Sequence, residues 1–185
     1  MSDSLNAMPL LQTPRLRMRT IVRSDIDAIY RLHSDPRAMR YWSFSAWTDP
    51  QQAQDWFEQS RHFAEREESW PWGLTLIDAD ELIGIVTLFA VNRAQRRAEV
   101  GYQLHPTYWG RGYAQEALRA ALTYGFDALE LHRVEADIDP RNQASCRLVE
   151  RVGFRREGYL RERWHVNGEI ADTALYGLLA REFVR

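Results

Sequence analysis

Along the first twenty residues, Leu16 and Met18 stand between Arg15, Arg17 and Arg19, and this period of two predicts a half-buried strand within Leu10 to Thr20. Ser24 with Asp27 three residues on approximates a capping box, and Ile26, Ile29, Tyr30 and His33 follow at helical spacing. A helix ending near Asp35-Pro36 is expected. A second helix should start at Thr48 to Pro50 and run to about Glu67, with Ala53, Trp56, Phe57, Ser60 and Phe63 on one face. An aromatic connection, Tyr41-Trp42-Ser43-Phe44, separates the two.

From Trp70 the period shortens. Trp72 to Asp78, Leu82 to Val91 and Ala98 to Leu104 read as strands, and their short links favour an antiparallel meander. Ala114, Ala117, Leu118, Ala121 and Leu122 form one stripe of a helix over Ala114 to Leu129, followed by a strand at Arg133 to Ile138 and a short helix at Gln143 to Val152. Gly153 is placed to stop that helix. Two last strands, Arg155 to Val166 and Glu169 to Leu179, meet at Asn167-Gly168, a strong hairpin signal. No repeat or linker divides the chain. The expectation is one α/β domain of the α+β kind over residues 1–185, with a mixed, mostly antiparallel central sheet flanked by helices.

Composition narrows the function. The 24 basic and 26 acidic residues leave a net charge of -2, so nothing global draws the chain to nucleic acid or an anionic membrane. Cys146 is the single cysteine, which excludes an internal disulfide framework. His33, His62, His105, His132 and His165 are scattered without ligand spacing, so no metal site is expected. Met1 to Pro9 lacks a basic segment followed by an apolar run, and no stretch approaches a membrane span. These features point to a cytoplasmic protein.

The sharpest constellation is Trp109-Gly110-Arg111-Gly112-Tyr113-Ala114, between a strand and the start of an amphipathic helix. Orphan N–H groups and the positive end of the helix dipole converge there, and glycine lets a phosphate approach the backbone without meeting a Cβ. A turn that only caps the helix is the competing reading. A P-loop would need a Gly-Lys-Ser/Thr ending, and a dinucleotide fold a third glycine where Gln115 stands.

These residues carry a resemblance. Glu99-Val100-Gly101-Tyr102, the turn with Glu116-Ala117-Leu118 behind it, Asn142 with Ser145, and Gly153-Phe154 are similar, in order, to the GCN5-related N-acetyltransferase (GNAT) superfamily, particularly its RimJ and RimL branch of ribosomal-protein N-terminal acetyltransferases. The resemblance implies a GNAT-like fold and acetyl-coenzyme A as cosubstrate, without a metal. Trp109 stands where the superfamily usually has Gln or Arg, which leaves a pyrophosphate contact through backbone N–H groups intact. The resemblance further implies that the strand edge at Gln103, Leu104 and His105 pairs with the pantetheine amides like an added strand, and that Asn142 contacts the coenzyme arm.

Transfer to an amine requires removal of a proton, stabilisation of an oxyanion and help for the departing thiolate. Glu99 is the first candidate base, on the strand leading to the coenzyme site and similar to a glutamate serving this purpose in part of the superfamily. The alternative is a salt-bridged strand residue beside Arg96 and Arg97. Glu162 and Tyr159 are weaker candidates. Ser145 shares a stripe with Leu148, Val149 and Val152, and the resemblance puts the coenzyme sulfur near it, so it is the candidate acid toward the thiolate. Asn142 also reads as a plain N-cap. Cys146 falls off that stripe and has no histidine near it in the pattern, which argues against a cysteine nucleophile. Trp42 and Phe44, on a loop, are the aromatics best placed to line an acceptor cleft.

For the acceptor, an α-amine with a pKa near 8 is about 10% neutral at pH 7, whereas a lysine is neutral only at about the 0.04% level. This favours a protein N-terminus, as the RimJ and RimL resemblance does, with a small amine as the alternative. A coenzyme-binding sensor without turnover is the rival class, and a homodimer is left open.

Overall fold

Leu16 and Met18 are fully buried while Arg15, Arg17 and Arg19 around them are not, so the N-terminal alternation does form a strand. The computed structural model describes residues 8–185. The expectation for Met1 to Pro9 therefore lies, up to residue 7, outside the described residues.

The chain begins with β1 (Leu11–Gln12) and β2 (Leu16–Thr20), then α1 (Ile26–Ser34), α2 (Pro36–Met39) and α3 (Gln51–Glu65). The start of α1 differs from the capping box expected at Ser24 and Asp27. Asp25 instead accepts the Val22 N–H at 2.8 Å and pairs with Arg19 at 2.7 Å, because an arginine from β2 reaches this carboxylate. The turn α2 was not anticipated; Asp35 caps it by accepting the Arg37 N–H, and Pro36 opens it. In α3, Ala53 and Phe57 are buried but Phe63 is 40% exposed, so the apolar face is shorter than the sequence pattern suggests.

β3 (Trp70–Leu76), β4 (Gly84–Asn92) and β5 (Arg97–Leu104) complete an antiparallel meander with β2. The helix α4 (Tyr113–Asp127) crosses to β6 (Arg133–Ile138), which lies parallel to β5. After α5 (Gln143–Val152), β7 (Arg155–Val166) and β8 (Glu169–Leu179) form a hairpin. Its turn residues Asn167 and Gly168 both have positive φ, at 53° and 77°, as a type I′ turn requires. The sheet of the described residues has the order β1-β2-β3-β4-β5-β6-β8-β7.

Two apolar layers cover it. On one face Leu118 and Leu122 of α4 and Val149 of α5 are fully buried against Leu88, Val134 and Leu178. Burial of each such side chain contributes roughly 1.5–3 kcal/mol. On the other face Ile29 and Leu32 of α1 and Phe57 of α3 pack with Ile21, Leu82 and Ile85.

One irregularity positions the site. β5 and β6 pair only at Arg97–Arg133, Ala98–Val134 and Glu99–Glu135, after which β5 continues to Leu104 without β6 beside it. Opposite this point β4 carries a bulge between Phe89 and Asn92, with Ala90 at φ 50°. A bulge increases local twist, and the two parallel strands part next to it.

Candidate active site

The parting of β5 and β6 opens a cleft of about 780 Å³. Side chains of β5 alternate across it. Ala98, Val100 and Leu104 point to the α4 layer, with Tyr102 packed on the same side, whereas the Gln103 amide donates to the Leu32 carbonyl in the α1 layer at 3.2 Å. Glu99 shares the Gln103 face by the same period of two. The cleft is lined by Glu99 from β5, by Asp137 from β6, by Ser145 and its cap Asn142, and by Trp42 and Trp164 from the flanking loop and hairpin.

Glu99 is half-buried, and burial, reinforced by repulsion from Glu135 and Asp137, raises its pKa above the ordinary carboxylate range, against the pull of Arg97 and Arg163. A raised carboxylate is a better proton acceptor. Glu135 is occupied by Arg97 at 2.8 Å and Arg133 at 2.7 Å, and Asp139 by Arg141 at 2.7 Å. Glu99 and Asp137, by contrast, have no ion-pair partner among the described residues. Asp137 accepts the Thr173 hydroxyl at 2.6 Å, and Thr173 accepts the Trp164 indole N–H at 3.0 Å, so this carboxylate is oriented by neutral donors. The weaker base candidates lie elsewhere: Glu162 is exposed in a bulge of β7 at φ 55°, and Tyr159 is bonded to Asp172 on the surface.

Ser145 sits at the flank of α5, beside the cleft. The buried face of that helix is Cys146, Val149 and Val152, so Cys146 lies on the inward stripe rather than off it, with Ser145 at its margin. The Cys146 thiol is buried in the core. Ser145 Oγ lies 2.6 Å from the hydroxyl of Tyr102. Asn142 acts as the N-cap, its side chain accepting the Ser145 N–H at 3.1 Å, and its amide also borders the cleft.

The free edge of β5 differs from the one expected. His105 donates its N–H to the Ile83 carbonyl, so in the antiparallel pairing Gln103 and His105 turn their backbone groups toward β4. The groups on the open side belong to Val100, Tyr102 and Leu104. Of the three edge residues expected from sequence, only Leu104 faces the gap, and its carbonyl already accepts the Trp109 indole N–H at 2.8 Å. A carbonyl has a second lone pair. Trp109 thus ties the glycine turn to the end of β5.

In that turn Gly110 and Gly112 have φ of 74° and 81°, and Gly112 is the N-cap of α4. Its first-turn N–H groups receive no side-chain cap, unlike those of α2 and α5. Arg15 stands beside the turn, paired with Glu116 at 2.6 Å and donating to the Arg111 carbonyl at 2.9 Å. Uncapped donors, two left-handed glycines and an adjacent guanidinium fit a pyrophosphate. The turn lies apart from the cleft lining, at the far end of β5, so an elongated ligand would run along the open edge between them.

The aromatic connection packs as a block. His33 stacks on Trp47 with centroids 4.2 Å apart and touches Trp42, Phe44 and Trp56, and burial lowers its pKa to about 4, keeping it neutral. Trp42 lines the cleft; Phe44 supports it from behind. Sequence reasoning missed Tyr102, Asp137 and Trp164 as site residues. Tyr102 was visible within the Glu99-Val100-Gly101-Tyr102 motif, but its partner on α5 was not. Among the described residues no cluster of His, Cys, Asp or Glu could hold a metal ion, and no helix is long and apolar enough to cross a membrane.

A family model for the acetyltransferase (GNAT) domain matches residues 15–155. An uncharacterized N-acetyltransferase, p20, of Bacillus licheniformis is 32% identical over 176 residues, covering 95% of this chain and 99% of that protein. Spermidine N(1)-acetyltransferase of Vibrio cholerae is 28% identical over 173 residues, covering 92% and 96%. Among solved structures, a GNAT-family acetyltransferase from Bacillus anthracis superposes with a TM-score of 0.83 at 27% identity, covering 94% of this chain and all of that one. The ribosomal L7/L12 alpha-N-protein acetyltransferase RimL, in complex with coenzyme A, has the same fold, with a TM-score of 0.83 at 19% identity over 92% of this chain and 98% of its own. The chain belongs to the GNAT acetyltransferase family. It is an N-acetyltransferase that uses acetyl-coenzyme A.

Proposed function

We propose that the acceptor is the α-amine of a protein or peptide N-terminus. The observation carrying this reading is the charge pattern of the cleft: among the described residues Glu99 and Asp137 are its carboxylates without an arginine, and Arg40 and Arg163 stand around them without a carboxylate, Arg141 being paired with Asp139 and Glu169. One ammonium is welcome beside that pair. A polyamine would bring further cations toward the two unpaired guanidinium groups, whereas a peptide brings carbonyl oxygens that they can hold. The likeness to the Vibrio cholerae spermidine enzyme supports the rival reading, a small polyamine acceptor.

Bound acetyl-coenzyme A supplies the activated acetyl thioester. The backbone of Gly110 to Ala114 holds its pyrophosphate, with Arg111, Tyr113 and Trp109 shaping the turn, and Val100, Tyr102 and Leu104 offer the free edge of β5 to its amides. Asn142 borders the same path. Glu99 takes the proton of the attacking amine, and Ser145 donates a hydrogen bond to the departing sulfur.

A thiol-release assay with acetyl-coenzyme A against N-terminal peptides, free amino acids, aminoglycosides and spermidine tests the acceptor. Peptides with a free α-amine should give the highest kcat/KM, and preference for spermidine would overturn the assignment. Ser145→Ala should slow turnover by less than the roughly 100-fold floor expected for loss of a positioned base, because a thiolate near pKa 8.5 already leaves readily at neutral pH. Full activity in steady-state assays would reduce Ser145 to a helix-turn hydroxyl.

A further inference from the structure

We propose that Tyr102 is a positioning residue for the leaving-group step: it donates its phenolic hydrogen to Ser145 Oγ and leaves the serine's own hydrogen free to point at the departing sulfur. This rests on the reading of Ser145 given above.

The two oxygens are 2.6 Å apart, whereas the other acceptor within reach of the phenol, the Ser145 carbonyl, is at 3.4 Å. The half-buried phenol has these two acceptors within reach, and the shorter contact takes its hydrogen. A phenol is also a better donor than an aliphatic hydroxyl. Burial pushes the Tyr102 pKa up to about 12, so it remains protonated at neutral pH and keeps a hydrogen to donate. Ser145 has one hydrogen and two lone pairs. With a lone pair engaged by Tyr102 and the backbone of its helical turn pinned by Asn142, its hydrogen is left for the cleft that Tyr102, Asn142 and Ser145 line together. Neither residue was brought to the other by local sequence; they are 43 positions apart, on β5 and α5.

Chemistry decides between positioning and a proton relay. A phenol near 12 is a far weaker acid than a thiol near 8.5, so the Tyr102 proton stays where it is. In the step itself the acceptor nitrogen bonds to the acetyl carbon, the carbon–sulfur bond breaks with its electron pair going to sulfur, and the amine proton goes to Glu99. Ser145 hydrogen-bonds the thiolate so released, which afterwards takes a proton from solvent, as Glu99 returns its own to solvent.

The test compares Tyr102→Phe, Ser145→Ala and the double variant. Tyr102→Phe keeps the ring and its packing, and Ser145→Ala removes the same bond from the other end. Turnover should fall at least about tenfold in each single variant, the loss expected for one hydrogen bond to an anion, with the amine KM unchanged and no further loss in the double variant. A second readout needs no turnover: the pH dependence of free coenzyme A binding, followed by calorimetry and thiolate absorbance. Hydrogen bonding to the charged form lowers a pKa, so the bound thiol should titrate at higher pH in both single variants than in the wild type. Affinity retained at low pH, where the thiol is protonated, reports an intact fold. If Ser145→Ala shifts the bound thiol but Tyr102→Phe does not, the Tyr102 assignment is overturned and Ser145 stands. If Ser145→Ala moves neither readout, the underlying Ser145 reading fails. A further loss from Tyr102→Phe in the Ser145→Ala background would mean that Tyr102 acts on its own, which also overturns the proposal.

Discussion

Glu99→Gln should lower turnover by about 100- to 10,000-fold while coenzyme affinity is kept, the loss typical for a positioned acid or base. Glutamine preserves the shape and removes the proton-accepting oxygen. The pH profile separates this from a packing effect. If Glu99 is the base it works only when deprotonated, and burial with repulsion from Glu135 and Asp137 raises its pKa, so wild-type kcat/KM should climb with pH through that raised value. The variant should lack this limb, and its deficit should narrow at high pH, where the amine loses its proton unaided. Stability moves the other way. A carboxylate whose folded pKa is raised contributes stability below its unfolded value and loses that contribution as pH rises through the folded one. Glu99→Gln should therefore melt no earlier than the wild type at neutral pH. Wild-type turnover in the variant at pH 7 would remove Glu99 as the base.

Gly112→Val should weaken acetyl-coenzyme A binding by at least about 100-fold in calorimetry. Gly112 has φ of 81° as the N-cap of α4, where a β-branched residue carries roughly 1–3 kcal/mol of backbone strain. Its Cβ would also stand 3.3 Å from the Arg15 guanidinium, beside the uncapped N–H groups. Relaxing the turn to relieve the strain moves those donors off the phosphate, and each hydrogen bond to a charged group lost in this way is worth about 1.5–3 kcal/mol. Gly112→Ala should fall between wild type and valine. Unchanged affinity in the valine variant, with α4 intact by circular dichroism, would take the pyrophosphate away from this turn.

What local pattern can encode was legible in the chain. Arg133–Ile138, Gln143–Val152, Arg155–Val166 and Glu169–Leu179 occur as elements within the expected bounds. Alternation, helical spacing and the Asn167-Gly168 turn are properties of neighbours within a few residues, and the folded chain adds nothing they need. The glycine turn was readable for the same reason: two positive-φ positions followed by an apolar helical stripe form one contiguous signal. Asn142 was readable as a cap because a cap is a three-residue relation; its place beside the coenzyme was implied only by the family resemblance.

The site itself was decided by contacts between distant segments. Glu99 and Glu162 both stand on strands among arginines, and nothing local ranks them. Because β5 pairs with β6 for three residues only, Glu99, the last of them, stands at the edge of the gap, while the β7 bulge turns Glu162 to solvent. Gln103 and His105 fit the pattern of an edge as well as Leu104 does, and only the register with β4 determines which backbone groups remain free. On α5 the helical period put Ser145 on the inward stripe and Cys146 off it, and packing against the sheet reverses the two, with Cys146 buried and Ser145 at the rim. The link between Tyr102 and Ser145 and the support of Asp137 by Thr173 and Trp164 exist only once β5, β6, α5 and the final hairpin are docked. Periodicity says which side of its own element a residue occupies; strand register and helix docking, set by pairing across the sheet, determine what it faces there.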